Sequence, residues 1–479
     1  MPKQPARLLV AQMARQPVQA KTLRAGAPRV GAASASRTAA PRSAASGGAA
    51  SKMARTAGNS PRAGQPRAVS ARAGRAVGRA ASGARRSFMD MMREFYSGQS
   101  MLFVMILSAT LLLVVYGLIM VVSASSIDSI KANNGNPLAI SAKQIVSALV
   151  GFAAMTFVSA RSVEFFARNS FRIYVAATFL QVLVFLPGLG VSVNGNREWI
   201  RIPAIGYTIQ PSEFIKLALI ILLAVEFERL RDWVEYPKQY TGRAGALALV
   251  PMVLIMAGQD LGTTIIIAII VMTMLFLSGV PKNLLMTVTT ALSVAGTILI
   301  VTGKSRIGRF GAWLDPSTSD TANNYAWQAQ HGIWALANAH IIGVGLGQSS
   351  LKWSWIPEVE NDYIFAIIGE ELGLIFAAGT IILFLLLGYW IVQVGLRSST
   401  LFGRWASFGV ATWIVVQAMV NIAVVLKALP VLGVPLPLIS AGGSSLIAGM
   451  AAIGLVLSIE RRNHLELDGG NFRAQRNRR

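Results

Sequence analysis

Apolar residues run along this chain in blocks too long for strands or for ordinary core helices. A helix needs about 20 mostly apolar residues to cross the hydrocarbon core of a bilayer. Ten stretches approach that length: residues 101–124, 143–160, 172–190, 210–227, 244–259, 262–280, 284–302, 363–395, 405–428 and 441–459. They predict an all-α integral membrane protein of about ten transmembrane helices, a membrane domain spanning residues 99–460. Only one of the intervening polar stretches is long, the loop 303–362. Loops of that length in compact proteins are usually functional, so the face on which it opens is where chemistry is expected.

Lys and Arg decide which face that is. Arg161, Arg168, Arg172, Arg229, Arg231, Lys238, Arg243, Lys282, Arg397, Arg404 and the basic ends fall on one side. The other side holds fewer: Lys131, Arg197, Arg201, Lys304, Arg306, Arg309 and Lys352. The richer side is expected to be cytoplasmic, with both termini on it, which requires an even number of spans. The long loop then opens outward.

Composition agrees: the 479 residues are 53% hydrophobic and only 14% charged, against nearer a quarter charged in soluble domains. Cysteine is absent, which excludes a disulfide framework or a Cys-ligated metal. The net charge of +23 is lopsided: residues 1–97 hold 18 Lys and Arg against 2 acids, or +16. Residues 1–86, rich in Ala, Arg, Ser, Gly and Pro, read as a disordered basic cytoplasmic tail attracted to anionic lipid. The makeup also suits a transit peptide, whereas no aromatic interleaving supports nucleic-acid binding. In residues 87–98, Phe88, Met91, Met92, Phe95 and Tyr96 recur at helical spacing, predicting a short interfacial amphipathic helix. Residues 461–479 read as a second basic cytoplasmic tail.

Few residues in the apolar region could carry chemistry. Glu358, Glu360 and Asp362 crowd the junction between the long loop and the eighth block. Clustered, desolvated carboxylates are pushed toward neutral pKa and suit a general base; Asn361 and Asp362 equally suit a helix cap. Arg306 and Arg309, three apart, would face one way from a helical turn and could clamp a phosphate or pyrophosphate, or neutralise lipid headgroups. Glu213 and Lys216 lie one turn apart inside the fourth block, as a functional or a structural ion pair, and Asp260 between blocks five and six carries the same ambiguity. Prolines and glycines break residues 429–445, "LPVLGVPLPLISAGGSS", into a structured segment at membrane depth or an ordinary outer loop.

Taken in order, "QPSEFIK" (210–216), "DLGTT" (260–264), "RIGRFGAWLDP" (306–316), "GVGLGQS" (343–349), "PEVENDYIFAIIGEELG" (357–373) and "LPVLGVPLPLISAGGSS" (429–445) resemble the shape, elongation, division and sporulation (SEDS) family of cell-wall polymerases. "VVSASSIDS" and "LISAGGSSL" resemble its division branch more than its elongation branch. The resemblance implies polymerisation of lipid II into peptidoglycan glycan strands at the outer face of the bacterial cytoplasmic membrane, at the division septum. It implies Asp362 as catalytic base, with inversion at the donor carbon and undecaprenyl pyrophosphate leaving. Arg306, Arg309, Glu213, Lys216, Arg197, Asp260, Glu358, Ser440, Gly442, Gly443 and Ser444 are the expected substrate-binding positions. A divalent cation (Mg or Mn) is a candidate helper, its ligands unassigned. The expected partners are a class B penicillin-binding protein, other division proteins and membrane lipid, and no nucleic acid. This chain departs from the family pattern at "NGNREW" (194–199), where Glu198 replaces the usual arginine beside Arg197. The alternatives are a flippase for the same lipid-linked precursor and a non-catalytic division scaffold.

Overall fold

The computed structural model describes residues 99–193, 196–202, 207–230, 237–314, 325–350 and 359–476. The expected tail 1–86, the expected interfacial helix 87–98 and Glu358 lie outside these residues.

Among the described residues are twelve helices and three strands. In order they are α1 (Met101–Ala132), α2 (Ala139–Ala160), α3 (Val163–Leu183), β1 (Gly190–Val193), β2 (Asn196–Ile202), β3 (Tyr207–Ile209), α4 (Pro211–Arg229), α5 (Pro237–Ala257), α6 (Leu261–Leu277), α7 (Lys282–Thr302), α8 (Lys304–Leu314), α9 (Tyr325–Asn338), α10 (Ile364–Arg397), α11 (Leu401–Val425) and α12 (Gly443–Arg476). Local chemistry fixes several starts. Ser100 Oγ accepts from the Phe103 amide to cap α1, Thr400 Oγ1 does the same for Gly403 at α11, and Pro211 opens α4, where its missing N–H costs nothing.

Ten of the helices coincide with the ten apolar blocks, and six are long and apolar enough by themselves to cross a membrane. The architecture is that of an α-helical multi-pass membrane protein. Three departures from the sequence reading have physical causes. The third block was expected at 172–190, but α3 begins at Val163 because the helix continues through Glu164, Arg168 and Arg172, charges that lower the local hydropathy. The all-α expectation omits a three-stranded antiparallel sheet between α3 and α4, in which β2 pairs with both β1 and β3. Its sequence signal is Asn194–Gly195 between valine-rich and aromatic runs, a hairpin signature. The long loop carries two helices of its own, α8 and α9.

The core is built around α4, which is buried almost without interruption from Ile215 to Phe227 and packs against α3 and α11. Helix α2 lies along α12, where a Cβ at Gly454 would press on the Met155 backbone; small residues at such crossings let helices approach closely. At the other extreme, α7 buries only Leu285.

Helix α10 is broken at Gly373, whose φ of 85° leaves the helical region. The loop after α9 fills the break. Leu374 and Ile375 donate to the carbonyls of His340 and Ile341, while the amides of Val344 and Gly345 donate to the carbonyls of Glu370 and Glu371. Both orphaned helix ends are thus satisfied by one segment, as backbone at membrane depth requires. Gly343 lies so close to Gly373 that a Cβ on either would meet backbone of the other's segment. Buried carboxylates reinforce the joint. Glu370 accepts from the hydroxyls of Ser349 (2.5 Å) and Ser350 (2.6 Å), and Glu371 from Ser123 on α1 (2.7 Å). The glycines of "GVGLGQ" and the acids of "GEELG" are therefore two halves of one structural device.

Candidate functional site

The polar groups singled out in the sequence gather around the entrances of α4, α6, α10 and α12. Asp362 sits half-buried one residue before the N-cap Tyr363 of α10, next to the buried Glu360. Its backbone carbonyl accepts from Asn421 Nδ2 of α11 at 2.9 Å. Across from it, residues 431–435 run as an irregular segment. A Cβ on Gly433 would stand 3.8 Å from Asp362 Oδ2 and 4.0 Å from Arg309 Nη1. The carboxylate and the guanidinium therefore flank the same glycine from two elements 53 residues apart in sequence.

Arg309 projects from α8, and with Arg306 it lines a small crevice completed by Asn196, Gln259, Phe310 and Leu432. Arg306 spends one N–H on the Leu299 carbonyl at the end of α7 (2.8 Å). Partial burial and then the charge of Arg309 draw its pKa below the usual guanidinium range. The crevice thus presents one tethered and one neighbouring guanidinium, the arrangement expected of an anion site.

Glu213 and Lys216 are buried at 1% exposure each. Lys216 Nζ meets Glu213 Oε1 at 2.7 Å and Gln417 Oε1 at 2.7 Å, under the Trp413 ring at 5.0 Å. Its ammonium is held by protein groups, which makes the pair a brace between α4 and α11 whose desolvated charge already has a counterion.

The segment 440–444 is likewise a hub. Ser440 Oγ accepts from the Leu436 amide and its carbonyl accepts from Gln144 Nε2 on α2. The Ala441 amide donates to the Glu360 carbonyl, and Ser444 Oγ accepts from the Gln210 amide at the start of α4. Gly442 closes this turn through its amide to the Ser440 carbonyl, and Gly443 lets the Tyr207 hydroxyl pass where a side chain would collide. These residues hold the acidic junction in place from behind.

Arg197, half-buried on β2, binds backbone: its amide donates to the Gly258 carbonyl (2.9 Å) and its guanidinium to the Leu186 carbonyl (3.3 Å). Its neighbour Glu198 turns inward, accepts from Gln210 Nε2 (2.9 Å) and stands against Asp260. Asp260 caps α6 through Oδ1 and the Thr263 amide (2.8 Å), while Oδ2 receives no N–H or O–H from the other described residues. Burial first, then the charge and hydrogen bonding of Asp260, push the Glu198 carboxyl up to about 9; Asn196 and Gln210 pull the other way. Glu198 therefore keeps its proton well above the ordinary carboxyl range.

A pH dependence follows. The folded pKa is raised above the ordinary carboxyl value, so the folded form binds more protons across the interval between the two. The contribution of Glu198 to stability is full below the ordinary pKa, falls as pH rises, and is lost by about 9. Glu198→Gln is expected to flatten the fall of thermal unfolding temperature between pH 6 and pH 9, and Glu198→Arg, which restores the family's arginine opposite Asp260, should raise stability at pH 9. An unchanged slope in Glu198→Gln would overturn this dependence.

Sequence reasoning overlooked Gln417 and Asn421, polar residues one turn apart in an apolar helix, although such residues signal buried networks. Among the described residues no group of three or more His, Asp or Glu is placed to hold a metal ion.

Comparison with known proteins completes the picture. The probable peptidoglycan glycosyltransferase FtsW of Mycobacterium tuberculosis is 36% identical over 359 residues, covering 75% of this chain and 68% of that protein. The crystal structure of the Thermus thermophilus rod shape determining protein RodA shares the fold, with a TM-score of 0.53 at 23% identity over 75% of this chain and 96% of that one. A chain solved within a peptidoglycan synthase complex that coordinates polymerization and crosslinking aligns at a TM-score of 0.55 and 25% identity, over 72% of this chain and 96% of that one. Residues 103–465, from the first turn of α1 into α12, match the family profile described as cell cycle protein, FtsW/RodA/SpoVE. A match running through every element that builds the site means that this chain belongs to the FtsW/RodA/SpoVE family of cell cycle proteins and is FtsW-like.

Proposed function

We propose that the chain is a peptidoglycan glycosyltransferase that polymerises lipid II by inverting transfer, with Asp362 as general base. The observation that carries this reading is the meeting of Asp362 Oδ2 and Arg309 Nη1 around Gly433. A base and a cation flanking one glycine can serve the two ends of one displacement. Asp362 takes the proton of the acceptor 4-hydroxyl, and the oxygen so freed bonds to the donor anomeric carbon. The bond from that carbon to phosphate breaks, and undecaprenyl pyrophosphate leaves as an anion. Because the leaving group departs already ionised, no second carboxylic acid is needed, unlike glycosidases. Arg309 and Arg306 supply the positive charge that the departing diphosphate requires. A divalent cation (Mg or Mn) held with the diphosphate would add to that positive charge.

The ten helices are read as ten spans with both termini cytoplasmic, from the bias of Lys and Arg between the loops. The site then opens on the outer face, where the glycan is built. The relationship to FtsW supports a role at the division septum, and the related synthase complex supports a class B penicillin-binding protein as partner. Other division proteins and membrane lipid complete the expected surroundings.

The test is polymerisation of labelled lipid II by the purified protein, with a cognate transpeptidase whose active-site serine is replaced. Glycan ladders from this mixture are expected. Their absence from an intact complex would shift the reading to a flippase or a scaffold.

A further inference from the structure

We infer that Asn421 is a positioning residue for the transfer: its one amide nitrogen ties the Asp362 backbone and the 431–435 segment to α11, and so sets the base against the cation. The inference rests on the reading of Asp362 as the base.

Asn421 is 1% exposed and faces the junction from inside α11. An asparagine amide carries two hydrogens, and both are used: Nδ2 donates to the Asp362 carbonyl at 2.9 Å and to the Val434 carbonyl at 2.8 Å. One turn earlier Gln417, fully buried, repeats the pattern on the next carbonyl, its Nε2 donating to Pro435 O at 3.0 Å. Gln417 is in turn fixed by Lys216 Nζ (2.7 Å) and Trp413 Nε1 (2.8 Å), which both donate to Oε1. The Glu213–Lys216 pair thus reaches the 434–435 main chain through Gln417, and Asn421 joins that main chain to the backbone of Asp362. Successive side chains of α11 hold successive carbonyls of the segment.

Satisfying Val434 and Pro435 is the structural duty of any polar group beside irregular backbone at membrane depth. The bond to Asp362 exceeds that duty. It joins the loop carrying the carboxylate to the segment carrying Gly433, and Gly433 is the spacer between Asp362 Oδ2 and Arg309 Nη1. Without it, the backbone beside the carboxylate loses its shared tie to the 431–435 segment. A misplacement of about 1 Å at a reacting group can cost about a hundredfold in rate.

The experiment compares wild type, Asn421→Asp, Asn421→Ala and Asp362→Asn in lipid II polymerisation by the purified complex, with thermal unfolding measured on each. Asn421→Asp keeps the volume but removes both amide hydrogens, so it tests the inference even where Asn421→Ala does not fold. Asn421→Asp is expected to lower kcat by about 10- to 100-fold while KM for lipid II stays within about twofold. A purely structural role would instead lower the unfolding temperature and raise KM together with the loss, and that outcome overturns the inference. So does an unchanged kcat in Asn421→Asp. If Asp362→Asn polymerises normally, the reading of the base fails whatever Asn421 does; if Asp362→Asn is inactive and Asn421→Asp is not, only the positioning role fails.

Discussion

Asp362→Asn binds lipid II and does not polymerise it: kcat is expected to fall by about 10²- to 10⁴-fold, the range for loss of a positioned general base, with KM nearly unchanged. Asparagine reproduces the shape of aspartate, and the backbone carbonyl that accepts from Asn421 is untouched by the change. What disappears is the capacity to receive a proton. Arg309 would still face the leaving group, so residual binding is retained while the acceptor hydroxyl stays protonated. The measurement is single-turnover polymerisation of labelled lipid II beside direct lipid II binding. Equal rates for wild type and Asp362→Asn would remove the residue from the chemistry; loss of binding in parallel with rate would make it a substrate ligand.

The second large effect concerns stability. Lys216→Met is expected to cost about 3–5 kcal/mol, the usual consequence of stripping one partner from a buried ion pair. Both side chains are at most 1% exposed, so solvent offers no screening. Glu213 Oε2 already lacks a donor among the described residues, which leaves Lys216 as the principal compensation for its charge. Adding Glu213→Gln to Lys216→Met should recover most of the loss, since a neutral amide is far cheaper to bury than an uncompensated carboxylate. Thermal unfolding of the three variants in one detergent measures this. A double variant no better than Lys216→Met would show that Lys216 stabilises through Gln417 and Trp413 instead. Because Gln417 leads on to the catalytic segment, polymerisation should fall with Lys216→Met even below its unfolding temperature.

Much of this was readable from residue order alone, for a definite reason. A bilayer imposes one length and one polarity on every span, so the long apolar helices announce themselves by hydropathy. The charged clusters stand out against so apolar a background that Asp362, Arg309, Glu213, Lys216 and Asp260 could be picked without coordinates. The misses share a cause too. Charges on α3 hid its first turns, and the short sheet between α3 and α4 lies below the scale of a span. Glu198 was visible as a departure, but its partner Asp260 is 62 residues away and periodicity cannot pair them. The Glu213–Lys216 pair stayed open between a functional and a structural reading, because neither Gln417 nor Trp413 lies near it in sequence. Nothing in hydropathy distinguishes a straight helix from one broken at Gly373 and completed by another segment.

Because the break in α10 is stitched by main-chain groups, the stretch from His340 to Gly345 is constrained in length far more than in composition. Its side chains may be exchanged where φ allows, yet one residue added or removed would slide every amide past its carbonyl and strand polar groups in hydrocarbon. Insertions and deletions among descendants of this protein should therefore accumulate on either side of that stretch and spare it, leaving a fixed count of residues as the inherited feature.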